Sequence, residues 1–71
     1  MSEEELLMNL GLRIKTIRLK RKMTQNSLAM ECDFEKASMS RIESGQSNPT
    51  VRTLHRICTA LEIHIAELFI D

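Results

Sequence analysis

Cys32, Cys58, His55 and His64 are side chains whose chemistry could in principle ligate zinc. Zinc ligands come in close pairs, C-x₂-C or H-x₃-H, because one turn must deliver two of them to the same ion. Neither spacing occurs. Both cysteines fall among apolar residues at helical spacing, which reads as a pair of buried thiols. The sequence also has no glycine-rich phosphate loop and no Ser/His/Asp set. No metal, cofactor or catalytic residue is expected, and the chain is not expected to be an enzyme.

The other chemistry on offer is charge. Ten Lys/Arg balance ten Asp/Glu, which by itself argues poorly for a nucleic-acid partner. Every basic residue, however, lies between Arg13 and Arg56, where only Glu31, Asp33, Glu35 and Glu43 oppose them, a local net of +6. The other acids, Glu3, Glu4, Glu5, Glu62, Glu67 and Asp71, sit in the two ends. A phosphate meets the local field and not the sum. On charge alone, RIKTIRLKRK reads equally well as a solvated helix face.

Helices are expected to position these groups. Ser2 and Glu5 form an S-x-x-E capping box, and Leu10, Ile14 and Ile17 recur at i, i+4, i+7, predicting a helix over about 3–22. Gly11 weakens its middle and leaves room for a break or kink there. Thr24 caps a short helix over 25–32 that turns Leu28, Ala29 and Cys32 inward. A third helix over 36–44 buries Met39 and Ile42 and stops at Gly45. Gln46-Ser47-Asn48-Pro49 is a loop, and Thr50 caps a fourth helix carrying Leu54, Ile57, Cys58 and Leu61. A fifth helix is expected over 65–69. The fold class is therefore all-α with five helices, in a single domain spanning 1–71.

In Gln25–Ser44, the apolar positions Leu28, Cys32, Phe34, Met39 and Ile42 suit two short helices crossing steeply, with Ala29 at the crossing. This pattern resembles the helix-turn-helix of the phage repressor and Cro (Xre) family. The resemblance runs from about Leu10 to Phe69: Met23-Thr24-Gln25 is similar to the lead-in of that family's second helix, and Arg41-Ile42-Glu43-Ser44-Gly45 to the end of its recognition helix. Asn48-Pro49-Thr50 and Leu54-x-x-Ile57-x-x-Ala60-Leu61 are similar to its loop and fourth helix. Two residues depart from it. Asp33 stands in place of a turn glycine, and Asp tolerates positive φ at some cost. Glu35 stands in place of a Ser or Thr cap and turns a carboxylate toward DNA phosphates.

The resemblance implies a fold class, the five-helix lambda-repressor-like domain, and a function, sequence-specific binding of double-stranded DNA. Lys36, Ala37, Ser38, Ser40 and Arg41 become the base-reading positions. Lys36 or Arg41 would donate to guanine and Ala37 would meet a thymine methyl, the alternative being that Lys36 and Arg41 touch phosphate only. Gln25, Gln46, Ser47, Asn48 and Arg52 become phosphate contacts. Arg18 and Glu43 are implied to form a partly buried ion pair. Breaking such a pair from one side costs roughly 3–5 kcal/mol. Arg13, Lys15, Lys20, Arg21 and Lys22 are left for diffuse attraction or solvent.

At 71 residues, 42% hydrophobic and 28% charged, the chain suits one small globular domain. Two Phe without Trp or Tyr argue against a stacking platform for single strands. An acidic N-terminus disfavours export, and two cysteines fit a reducing compartment, so a bacterial or phage-encoded cytoplasmic protein without membrane or small-molecule ligand is expected. The function expected is a small transcriptional regulator, a repressor first. The alternatives are an antitoxin or restriction–modification controller, or an interaction module that has lost DNA binding. Surplus apolar residues at Ile65, Phe69 and Ile70 predict a homodimer reading a palindromic operator.

Overall fold

A computed structural model describes residues 1–69. Among them are four α-helices, α1 (Glu3–Lys20), α2 (Gln25–Glu31), α3 (Lys36–Glu43) and α4 (Val51–Leu61), followed by one 3₁₀ turn at Ile65–Leu68. The expected fifth helix is thus corrected to a single turn. Glu62 takes a left-handed conformation that ends α4. After it, i→i+3 bonds from Glu67 N–H to His64 O (2.9 Å) and Phe69 N–H to Ala66 O (3.1 Å) wind the segment tightly. One buried side chain, Leu68, fastens that turn to the core.

The helix starts follow from their caps. Ser2 and Glu5 form the reciprocal capping box, Thr24 Oγ1 accepts from Ser27 N–H at 3.0 Å, and Thr50 Oγ1 accepts from Thr53 N–H at 3.1 Å. Glu35 begins α3 without any side-chain cap bond.

All four helices stop in the same way. A residue with positive φ follows the last turn at Lys22 (58°), Asp33 (63°), Gly45 (78°) and Glu62 (57°). The next N–H then reaches back five residues: Met23 to Arg18 O, Phe34 to Ala29 O, Gln46 to Arg41 O and Ile63 to Cys58 O, at 2.8–3.1 Å. These are Schellman motifs, and three of them use a residue with a Cβ where glycine is usual. They explain why α1 and α2 stop short of the expected 22 and 32.

The core draws on every helix. Ile14, Leu28, Met39, Ile57 and Leu61 are fully buried, and Ala29, Cys32, Ile42, Leu54, Cys58 and Leu68 fill in around them. Gly11 does not break α1. It is buried, and a Cβ there would lie 2.4 Å from the Ile42 carbonyl oxygen and 2.5 Å from that of Glu43. The glycine lets α1 touch the backbone of the last turn of α3, so its function is close approach and not flexibility.

Candidate nucleic-acid interface

Met39, Ile42 and Glu43 are the buried residues of α3, which leaves Lys36, Ala37, Ser40 and Arg41 for its outer side. Lys36, Ala37, Ser40 and Arg41 are exposed and Ser38 is half-buried. Arg41 Nη2 folds back along the helix to 3.5 Å from Ser38 Oγ. The following loop rises beside this face. Ser38 and Arg41 share an open cleft of about 310 Å³ with Ser47, Asn48 and Thr50. Two of the expected base-reading residues and two of the expected phosphate contacts therefore line one concavity. Gln46 and Arg52 are exposed outside its lining.

Behind this surface lies a charge network. Arg18 grips Glu43 with two bonds, Nε to Oε2 at 2.7 Å and Nη2 to Oε1 at 3.0 Å. Its Nη1 donates to the carbonyl of Met23 at 2.8 Å. Both residues are buried, at 6% and 8% exposure, so the pair is shielded from salt and water as a surface pair is not. Gln25 joins them, its Nε2 donating to Glu43 Oε1 at 3.1 Å. That tie is absent from any sequence reading, because nothing local links positions 18 residues apart.

Two arginines left for diffuse attraction or solvent turn out to be engaged. Arg13 Nε donates to the Glu67 carbonyl at 2.8 Å and ties α1 to the 3₁₀ turn. Arg21 pairs with Glu62 at 2.9 Å on the surface. Their partners lie 54 and 41 residues away, so no spacing rule could have found them. Ile65 and Phe69 are 38% and 55% exposed. Phe69 borders an open cleft of about 380 Å³ with Leu6, Leu12 and Leu68. Ile70, also expected at a dimer face, lies outside the described residues.

Burial pushes the Cys32 thiol up to about 11, with the Glu31 carboxylate adding to the effect. Burial also raises Cys58, assisted by Glu67. Thiols held protonated are poor ligands and poor nucleophiles. Among the described residues no three His, Cys, Asp or Glu side chains gather where they could hold a metal ion. No helix among them is long and apolar enough to cross a membrane.

The pattern that defines the helix-turn-helix family HTH_3 matches residues 14–68, most of the chain. This protein belongs to that family. The family comprises non-catalytic DNA-binding regulators of the Xre type, related to phage repressors and restriction–modification controllers. The helix-turn-helix chain is 36% identical over 61 residues to the immunity repressor protein of Bacillus phage phi105, covering 86% of its own length but 42% of the repressor's. It is likewise 36% identical over 59 residues to the control protein C.BamHI of Bacillus amyloliquefaciens, of which it covers 73%. Its fold matches that of the restriction–modification controller protein C.Esp1396I, a tetramer in complex with its natural 35 base-pair operator. The TM-score is 0.81 at 34% identity, over 90% of this chain and 84% of that one. This chain therefore spans about two fifths of the phage repressor it resembles and most of each controller.

Proposed function

We propose that this chain binds double-stranded operator DNA with α3 in the major groove and regulates transcription as a restriction–modification controller. The observation that carries the reading is the outward row Lys36, Ala37, Ser40 and Arg41 on a helix whose inner side is locked in the core. In a helix-turn-helix, side chains so placed reach base edges while flanking groups hold the backbone. Arg41 would donate to guanine, and Lys36 to guanine or phosphate. Gln25 would clasp phosphate on one flank, with Gln46, Ser47, Asn48 and Arg52 on the other.

The controller role is preferred to that of a phage-type repressor because likeness extends over 73% of C.BamHI and 84% of C.Esp1396I. It takes in 42% of the phage repressor. A homodimer fits the operator-bound tetramer of the C.Esp1396I relative, and exposed Ile65 and Phe69 offer its surface. An electrophoretic shift with random duplex at low salt tests the core of this reading. Retarded duplex supports it, and duplex left free at tens of micromolar protein would favour an interaction module instead. Sedimentation of the wild type against Ile65→Lys/Phe69→Lys tests the dimer, which requires the wild type to be the heavier species.

A further inference from the structure

Gln25 is the first residue of α2, and its free end is where the DNA-binding reading places a phosphate. Its side chain is half-buried and not loose: Nε2 donates one hydrogen to Glu43 Oε1 at 3.1 Å. Glu43 is the last residue of α3, and Arg18 of α1 holds both of its oxygens. Arg18 also fixes the Met23 carbonyl two residues before Gln25. One buried carboxylate thus joins the end of the outward-facing helix to the start of the helix that would meet the backbone.

We infer that Glu43 is a positioning residue for DNA recognition, holding the Gln25 amide in a preset orientation for a backbone phosphate. This role rests on the DNA-binding reading and extends it. An amide N–H₂ has two hydrogens, and a bond from one to Glu43 directs the other roughly 120° away. A phosphate arriving there meets a donor whose rotamers are already restricted, so less freedom is lost on binding. The same carboxylate couples the rotation of α3 to the position of that donor, because both hang on one buried anchor. The Arg18–Glu43 pair is then more than a strut, and its two roles are separable by experiment.

Replacing both charges by apolar residues, Arg18→Met/Glu43→Leu, removes the anchor without stranding a buried charge. Fluorescence anisotropy with operator and random duplexes is then measured for wild type, Gln25→Ala, the double variant and the triple variant. The double variant should unfold at a temperature close to wild type, yet bind both duplexes about tenfold more weakly. Gln25→Ala should cost about tenfold in the wild-type background and less than about twofold in the double variant. Equal losses in both backgrounds, or wild-type affinity in the folded double variant, would overturn the role.

A second measurement needs neither DNA nor a variant that folds. Side-chain ¹⁵N relaxation of the free wild type should find the Gln25 amide nearly as ordered as the backbone, and exposed Gln46 much less so. A Gln25 amide as free as that of Gln46, in a protein that does bind duplex, overturns this role alone. A wild type that binds no duplex overturns the DNA-binding reading and the role together.

Discussion

Arg41 is the outward residue best suited to read a base, since its guanidinium offers paired donors matching guanine O6 and N7. Arg41→Ala should weaken the best operator by about 1–3 kcal/mol and relax preference at one base pair, as measured by competition with single-base operator variants. Equal loss on every duplex would make it a phosphate contact. Gly11 tests packing at the same scale. Alanine is the better helix former by about 1 kcal/mol, yet its Cβ would press on two carbonyls of α3 at 2.4 and 2.5 Å. Overpacking against backbone costs about 1–3 kcal/mol or more, so Gly11→Ala should lower the denaturant midpoint. A neutral or stabilising result would show that α1 and α3 can separate freely. The thiols give a pH test. Cys32 titrates near 9.0 when unperturbed and at about 11 in the fold. The unfolded chain therefore loses its proton first, and this contribution to stability, whole below pH 9, drains away as pH rises toward 11. Thermal unfolding of Cys32→Ala should show a shallower fall over that window than wild type; parallel curves would count against a buried neutral thiol.

Helix beginnings and helix ends differ in how openly the sequence declares them. Ser2, Thr24 and Thr50 are capping residues whose partners lie three positions on, so short-range chemistry revealed them. Gly45 marked the end of α3 for the same reason. Lys22 and Glu62 end α1 and α4 in left-handed geometry that their residue types do not advertise. Gly11 misled for a related cause: the sequence shows a weak helix former and hides the α3 backbone that requires it. The outward face of α3 was legible from the inward placing of Met39 and Ile42 together with the family resemblance, whereas the ties of Gln25, Arg13 and Arg21 depend on distant partners. Lys22→Gly and Asp33→Gly relieve a left-handed Cβ and should each raise stability by about 0.5–1 kcal/mol in urea unfolding. Glu35→Ser should supply the cap that α3 lacks, adding about 0.5–1 kcal/mol, and should also tighten DNA binding by removing a carboxylate from the groove face. Tighter folding with weaker binding would mean that Glu35 faces away from phosphate.

For the whole molecule, the balance of charge conceals a division of labour. The middle of the chain holds the positive excess and the ends hold the negative, so the zero total does not describe the field an operator would meet. Ile65 and Phe69 lie in the acidic C-terminal part, where Arg13 and Arg21 are already engaged by the Glu67 carbonyl and the Glu62 carboxylate. Two copies related by a two-fold axis read two half-sites, and their spacing follows the helical repeat of DNA. Selection of bound sequences from a random duplex pool by the 71-residue chain probes this most directly. The account predicts strong enrichment of a palindrome whose half-site centres lie about 10 base pairs, or a multiple, apart, with enrichment at one position lost in Arg41→Ala. A pool that stays random after repeated rounds at low salt would contradict it.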